Sequence, residues 1–221
     1  MTSPHRLSST PAEVVRVAQR SDAERIANTL VQAFMDDPVV SYVMRNTKAM
    51  DAWHKYFLVG VDIAFDRGEV WTTDDLTGAC LFFAPNKWHI SILTELKAAY
   101  RIARASDLAT MLSIRTLFHA LEVSQPSLPH YYLLAVGVVP SQQRKGLGAA
   151  LLRPMLERCQ RERAAAYLEN SNPANSHFYE RHGFVLTRSL ALPNGTPPVD
   201  LMWRAADVDA HEQRVSVYTP R

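Results

Sequence analysis

Apolar residues recur along this chain with two different periods, which separate predicted strands from predicted helices. Alternating or short continuous apolar runs bounded by Gly, Pro, Asn or Asp are typical of strands. Such runs predict seven strands, over residues 13–19, 69–73, 78–84, 131–139, 164–169, 184–192 and 199–204. The run at 131–139 is rich in β-branched and aromatic residues and ends at Pro140, which predicts a buried central strand.

Between these strands, apolar residues spaced three and four apart predict helices. Ser21 and Glu24 form a capping-box pattern, so a first helix should begin there and end near Asp37. The same spacing predicts further helices over residues 39–44, 51–66, 90–123, 147–163 and 173–182. The longest of these segments is expected to be two helices, the second capped by Ser106 or Asp107.

Composition and charge narrow the class of protein. The chain has 221 residues, 47% of them hydrophobic, with 24 basic and 22 acidic residues. This balance leaves no basic excess for a polyanion, so we expect no nucleic-acid partner. No apolar run is long enough to span a membrane, and residues 1–11 lack the apolar core of a signal peptide. We therefore expect a soluble, cytoplasmic protein with no membrane partner, either a monomer or a homodimer.

The domain organisation and the cysteines give two further expectations. No internal repeat and no linker interrupts the pattern, so residues 1–221 should form a single domain, with 1–12 and 206–221 flexible or peripheral. Cys80 and Cys159 lie within apolar patterns and should be buried free thiols. No His/Cys cluster has metal-ligand spacing, so no metal is expected.

The segment after the central strand has the features of an anion-binding loop. Backbone N–H groups at a helix start lack an intrahelical partner, and the helix dipole favours negative charge there. Two glycines would let a phosphate approach the backbone, while two cations add positive charge. The third glycine of the dinucleotide fingerprint and the triphosphate-loop motif are both absent, so this motif alone leaves the phosphate unidentified. The loop residues are Gln143, Arg144, Lys145, Gly146, Leu147, Gly148 and Ala149.

A second motif follows at the proper distance, and the two together resemble the GNAT (GCN5-related N-acetyltransferase) superfamily. The resemblance is strong over about residues 131–204, and the N-terminal half agrees in the order of its elements. The second motif is a strand, an Asn-rich turn and then Phe178-Tyr179-Glu180-Arg181-x-Gly183-Phe184.

Within that superfamily the chain is most similar to the puromycin N-acetyltransferase type. Where that enzyme has a tyrosine before an early proline, this chain has Asp37, so the wall of the acceptor pocket is expected to differ. The residues that carry the similarity are Ala33-Phe34-x-x-x-Pro38, Val136-Gly137-Val138-x-Pro140, Gly146-Leu147-Gly148, Leu168-Glu169-x-Ser171-x-Pro173-x-Asn175 and Phe178-Tyr179-Glu180-Arg181.

The resemblance implies an α/β (α+β) fold, the GNAT fold: a central mixed, mostly antiparallel sheet with a splayed strand pair, flanked by helices. It implies acetyl-CoA as the donor, with its pyrophosphate over the Gln143 to Ala149 loop. The central strand would carry a bulge, and backbone groups near Val136, Gly137 and Val138 would pair with the pantetheine arm and point an N–H at the thioester oxygen.

The remaining candidate site residues lie in and around the second motif. Asn172 and Asn175 would contact CoA, although Asn172 could simply cap its helix. Tyr179 would donate a proton to the departing thiolate, with a plain core tyrosine as the alternative. Glu169 would activate the acceptor amine, with a solvated or salt-bridged carboxylate as the alternative.

The sequence gives less information about the residues that bind the acceptor amine. Asp37 and His130 are weaker candidates for the base. Asp37, Tyr131 and Tyr132 are expected to line the acceptor pocket. The predicted function is transfer of an acetyl group from acetyl-CoA to an amine of a small molecule by direct attack. Acetylation of a protein or peptide and a non-catalytic acyl-CoA-binding sensor remain open as alternatives.

Overall fold

In the computed structural model, the described residues are 15–45, 50–88, 100–101, 104 and 107–206. The predicted peripheral ends, apart from residue 206, and nearly all of the first predicted helix of segment 90–123 lie outside this part of the chain. Seven strands and six α-helices fall within it.

The seven strands form one sheet in the order β1-β2-β3-β4-β5-β7-β6. Every neighbouring pair is antiparallel except β4 and β5, which are parallel. This confirms the predicted mixed, mostly antiparallel sheet. Each strand end lies within two residues of its predicted position. The strands are β1 (Val15–Val17), β2 (Glu69–Thr73), β3 (Gly78–Phe83), β4 (His130–Val138), β5 (Ala165–Asn170), β6 (Val185–Leu190) and β7 (Val199–Arg204).

Helices cover both faces of the sheet. One core cluster joins α1, α2, α3 and α4 to the sheet, and we call this side the α3 face. The other joins α5 and α6 to the opposite side, which we call the α5 face. Successive side chains of a strand point to opposite faces, so each strand contributes to both clusters. The helices are α1 (Ala23–Phe34), α2 (Pro38–Val43), α3 (Met50–Arg67), α4 (Leu108–Glu122), α5 (Leu147–Glu162) and α6 (Ser176–Glu180).

The caps of these helices were only partly predicted. Asp107 caps α4 as expected, because its carboxylate accepts the Thr110 N–H at 2.7 Å. The first helix is present, but its predicted cap was wrong: a short 3-10 turn (Arg20–Asp22) precedes α1, and the Gln19 N–H at the start of this turn donates to Asp22 Oδ2 at 2.8 Å. Ser21 therefore lies inside this turn instead of at the cap.

A bulge in β4 shapes the centre of the sheet. On the β3 side, Phe82 lies opposite Leu133 and Leu81 lies opposite Ala135, so Leu134 is an extra residue in β4. An extra residue bends its strand and interrupts the ladder locally. On the other side, β4 and β5 pair only up to Leu133, and the remaining residues of β4 have no partner in β5. The predicted bulge and splayed strand pair are therefore both present.

Gly137 lets α1 pack directly against β4 beyond the bulge. A Cβ atom built on Gly137 would lie 2.8 Å from the Ala33 Cβ and 3.2 Å from side-chain atoms of Leu30 and Phe34. Carbon atoms do not approach that closely, so any side chain at this position forces the helix away from the strand.

We predict that Gly137→Ala lowers the free energy of unfolding by about 1 to 3 kcal/mol, because the added methyl overpacks the contact between α1 and β4. Urea unfolding followed by circular dichroism measures the change. The matched control is Gly60→Ala in α3, whose Cβ would lie 3.8 Å from the Leu134 side chain, an ordinary contact. The control should be neutral or slightly stabilising, and equal losses in both variants would contradict the packing argument.

Candidate functional site

The unpaired end of β4 presents backbone groups to the gap beside β5. The Val139 N–H donates to the Thr77 carbonyl at 2.9 Å, which places Val139 in a hydrogen-bonded pair of the β3–β4 ladder. Hydrogen-bonded and non-hydrogen-bonded pairs alternate along an antiparallel ladder. Val138 and Val136 therefore turn their N–H and C=O groups away from β3 and toward the gap.

One of these groups is already occupied. The Val138 carbonyl accepts a hydrogen bond from Gln143 Nε2 at 3.0 Å, which ties the loop after β4 to the end of the strand. The Val138 N–H and both polar groups of Val136 face the gap. An extended amide chain placed there could pair with them as an added strand would.

The loop that follows leads into the N-terminus of α5. Gly146 has a φ of 85°, a left-handed conformation that costs glycine nothing, and it is the residue before the helix. The Ala150 N–H donates to the Gly146 carbonyl at 3.1 Å. The three N–H groups before Ala150, including that of Ala149, therefore have no acceptor within the helix, and they form a ready anion site.

The two cations of the loop differ in their contacts. Lys145 Nζ folds back onto the Ser141 carbonyl (3.0 Å) and Gln142 Oε1 (2.8 Å). Arg144 is exposed and has a φ of 61°. A Cβ on Gly148 would lie 3.5 Å from the Phe178 ring, so the first turn of α5 lies against α6.

Tyr179 belongs to α6 and lies buried on the α5 face. Its ring packs against Phe178 and Phe184, with centroid distances of 5.2 and 6.1 Å. Burial raises the pKa of its hydroxyl, and Cys80 and Asp37 raise it further. Among the described residues this hydroxyl has no hydrogen-bond partner. A phenol that stays protonated and has no protein acceptor is suited to donate a proton to a bound ligand.

Three donors surround the carboxylate of Glu169 on the opposite, α3 face. They are the Tyr132 hydroxyl (2.7 Å), Gln125 Nε2 (3.0 Å) and the Tyr167 hydroxyl (3.2 Å). Burial raises the pKa of Glu169 to about 7, although the two tyrosine hydrogen bonds act in the other direction. No Lys or Arg of the described residues forms an ion pair with it. Near neutral pH the group can therefore both accept and release a proton.

Asp37 has a structural role that was not predicted. It caps α2, because its Oδ1 accepts the Val39 and Val40 N–H groups at 3.0 Å each. Its Oδ2 accepts the Ser171 hydroxyl at 2.6 Å and so connects α2 to the turn after β5. Burial raises the pKa of the Tyr56 hydroxyl to about 12, and Asp37 and Glu169 add to that rise. Asp37, Glu169 and Tyr56 are therefore close enough for the two carboxylates to affect the ionisation of the phenol.

The two tyrosines that were expected to line one pocket lie on opposite faces of β4. Tyr132 contacts Glu169 on the α3 face. Tyr131 is buried on the α5 face, where its hydroxyl donates to Glu162 Oε2 at 2.6 Å. Burial and then Glu162 raise the pKa of Tyr131 to about 12. The expectation that both line the acceptor pocket fails because adjacent residues of a strand point in opposite directions.

The other predicted site residues are Asn172, Asn175 and His130, and their contacts are local. Asn172 caps the turn Pro173–Asn175 by accepting the Ala174 N–H at 3.0 Å. Asn175 is exposed and precedes α6. His130 is 1% exposed, and its Nδ1 lies 2.6 Å from the Leu128 carbonyl oxygen.

Two partners of Glu169 were not predicted. Tyr167 is two residues before Glu169 on the same strand, and the period of two could have placed both on one face. Gln125 is 44 residues away in sequence, and no local pattern connects it with Glu169.

Three further findings concern the described residues alone. Cys80 and Cys159 are buried free thiols, as predicted. No group of three or more His, Cys, Asp or Glu side chains in this part of the chain could hold a metal ion. No helix within the described ranges is both long enough and apolar enough to cross a membrane.

Comparison with known proteins finds similarity to acetyltransferases. A family model described as the acetyltransferase (GNAT) family matches residues 95–184. A protein of Schizosaccharomyces pombe described as an uncharacterized N-acetyltransferase is 28% identical over 212 residues, covering 89% of this chain and 85% of the relative.

Two solved structures share the fold at low sequence identity. One, from Corynebacterium glutamicum, is described as histone acetyltransferase HPA2 and related acetyltransferase; it has a TM-score of 0.61 and 21% identity, covering 89% of this chain and 98% of the other. Arylalkylamine N-acetyltransferase 2 from Aedes aegypti has a TM-score of 0.60 and 10% identity, with coverages of 87% and 98%. At these identities the two structures show a common fold alone.

The raised pKa of Glu169 predicts a pH-dependent effect on stability. Because the folded-state pKa of about 7 lies above the ordinary value of 4.5, the folded chain binds the proton more tightly, and stability falls as pH rises between these values. Glutamine does not ionise, so Glu169→Gln should gain about 2 to 3 kcal/mol relative to wild type between about pH 5 and pH 8. Urea unfolding at the two pH values measures the gain. Glu157→Gln, on the exposed side of α5, controls for the loss of one charge, and a pH-independent difference for Glu169→Gln would contradict the prediction.

Proposed function

We propose that this chain is an acetyltransferase of the GNAT superfamily and that it transfers the acetyl group of acetyl-CoA directly to an amine of a small molecule with an apolar or aromatic body. The observation that carries the proposal is that Glu169 and Tyr179 lie on opposite faces of the sheet in which β4 and β5 separate. A thioester held in the gap would have a proton acceptor on one face and a proton donor on the other.

The donor would occupy the gap and the loop after it. The N-terminus of α5 would hold the pyrophosphate, supported by Arg144 and Lys145. The pantetheine arm would pair with the polar groups of Val136 and the Val138 N–H. An N–H group fixed toward the thioester oxygen stabilises the oxyanion that forms during acyl transfer.

The acceptor would arrive on the α3 face as an ammonium ion. Glu169 would take one proton from it, and the neutral amine would attack the thioester carbon, forming the C–N bond. As the tetrahedral intermediate collapses, the C–S bond breaks and Tyr179 protonates the leaving thiolate. The amide nitrogen then releases its extra proton, which restores Tyr179, and Glu169 returns its proton to solvent.

Aromatic side chains on the α3 face support an acceptor with an apolar body. Tyr56 lies 5.2 Å from Phe57 and 6.1 Å from Phe118 between ring centroids, while Tyr132 lies 6.5 Å from Trp88. Such rings bind apolar surface and also attract cations. With Glu169 at the end of this wall, an amine bearing an aromatic or aliphatic body would be complementary to it.

We predict that Tyr179→Phe lowers kcat by roughly 10²-fold or more, because the departing thiolate loses its proton donor. The Kd for acetyl-CoA should stay unchanged, since the ring still fills its place in the core. Steady-state thiol release and equilibrium binding measure the two quantities. Tyr131→Phe, a buried tyrosine on the same face of the sheet, is the matched control and should keep the wild-type kcat. An unchanged kcat in Tyr179→Phe would favour the acyl-CoA-binding sensor.

Donor and acceptor can be tested together by thiol release from acetyl-CoA over a panel of small amines, aminonucleosides and peptides. We expect turnover on a small amine and its loss in Gly146→Glu, where a carboxylate would oppose the pyrophosphate. Gly146→Lys imposes the same backbone strain with the opposite charge, so it should bind acetyl-CoA at least about tenfold more tightly than Gly146→Glu. Turnover confined to peptides would contradict the proposal of a small-molecule acceptor. Equal binding of acetyl-CoA by the two variants would contradict the proposal that the pyrophosphate binds at this loop.

A further inference from the structure

Gln125 lies between two ionisable side chains. Its Nε2 is 3.0 Å from Glu169 Oε1, and its Oε1 is 3.3 Å from His130 Nε2. The other ring nitrogen of His130, Nδ1, lies 2.6 Å from the Leu128 carbonyl oxygen. A chain of polar contacts therefore runs from a backbone carbonyl through the imidazole and the amide to the carboxylate.

The chemistry of these groups restricts which protons they carry. A carbonyl oxygen only accepts, so the Leu128 carbonyl requires a proton on His130 Nδ1. The amide oxygen of Gln125 also only accepts, so it requires a second proton on Nε2. With the amide in this orientation, its N–H group suits an ionised Glu169. Every contact is satisfied when His130 is a cation and Glu169 is an anion.

The opposite orientation of the amide satisfies a different pair of states. If the Gln125 side chain rotates by half a turn, its N–H donates to a neutral His130, and its oxygen faces Glu169. That second contact is favourable only when Glu169 carries a proton to donate. The two arrangements contain the same number of protons and differ in which residue bears them.

We propose that Gln125 is a positioning residue that couples the charge of His130 to the protonation state of Glu169. A protonated His130 holds the amide oxygen, directs the amide N–H to Glu169 and keeps that group as a carboxylate able to accept a proton. A neutral His130 releases the amide and favours the protonated acid. The inference rests on the proposed function in one respect, the role of Glu169 as the base.

The side chains packed around the two residues come from several strands and from α3. Tyr132 from β4 and Tyr167 from β5 donate to Glu169, and burial raises the pKa of Tyr132 and of Tyr56 from α3 above their ordinary values. His130 has the rings of Tyr167 and Trp203, from β7, at 5.4 and 5.6 Å.

A nearby cation approaches Gln125 from β6. Arg188 donates to the Ser124 hydroxyl at 3.0 Å, one residue before Gln125. Because guanidinium stays charged over the pH range of interest, Arg188 supplies a constant field and does not exchange protons with the pair. The state of Glu169 then follows that of His130.

The test is a titration of the Glu169 side-chain carboxyl by ¹³C NMR in the full chain, with the resonance identified from Glu169→Gln. Gln125→Met removes the amide at nearly constant length, and His130→Phe removes the charge while keeping a ring. Each should raise the pKa of Glu169 by about one unit, as loss of a hydrogen bond to a charged group does.

The double variant decides between coupling and separate effects. If both residues act through one hydrogen bond, Gln125→Met with His130→Phe shifts the titration no further than the larger single shift. Gln125→Met combined with Tyr132→Phe is the control, because Tyr132 donates independently and its shift should add. Additive shifts for Gln125 and His130, or no shift in either, would overturn the coupling. His130→Leu replaces His130→Phe if the latter does not fold.

Kinetics separates this inference from the proposed function. The acid limb of the pH profile of kcat/KM should move with the NMR titration in each variant. A titration that shifts as expected while the kinetic profile stays fixed would remove Glu169 as the base and leave the coupling in place.

Discussion

The separation of β4 from β5 beyond Leu133 is the constraint on which the rest of the site depends. A strand in the middle of a sheet normally satisfies its backbone groups on both sides, and unpaired buried groups are costly. Here the bulge at Leu134 bends β4 away, so part of one edge remains open inside the fold. The proposed binding of an extended amide chain follows from that opening, because such a chain supplies the missing partners. The contact between Gly137 and α1 holds the bent strand in place from the α3 face.

Because side chains alternate along a strand, the ionisable groups of the candidate site lie on different faces of the sheet. On β5, Glu169 and Tyr167 share the α3 face, whereas Tyr179 packs on the α5 face against different neighbours. Burial raises the pKa of both Glu169 and Tyr179, but with different results. The carboxyl is brought close to neutral pH, where it exchanges protons readily, and the phenol is kept protonated. One sheet thus carries a carboxyl that titrates near neutral pH on one face and a protonated phenol on the other.

Local sequence patterns were sufficient to predict most of the fold and the positions of some residues of the candidate site. Periodicity located the seven strands, and the loop and turn motifs located Gly146 and Asn172, because their signals lie within a few neighbouring residues. Alternation alone could have separated Tyr131 from Tyr132, and the proline after Asp37 could have indicated a cap. The contacts of Gln125 with Glu169 and His130 could not have been predicted, since they join a loop to two strands and depend on tertiary packing. The same holds for the hydrogen bond between Ser171 and Asp37.

Cys80 has a consequence for the selectivity of the reaction. It lies opposite Val136 in the β3–β4 ladder, beside the strand along which a thioester would lie, and it is fully buried. A thiolate at that position could exchange with the thioester and divert the acyl group onto the protein. Burial raises the pKa of the Cys80 thiol, however, so the sulfur stays protonated and is a poor nucleophile. In the proposed reaction, the apolar packing of β3 would thereby protect the activated acyl group from transthioesterification and leave it for the incoming amine.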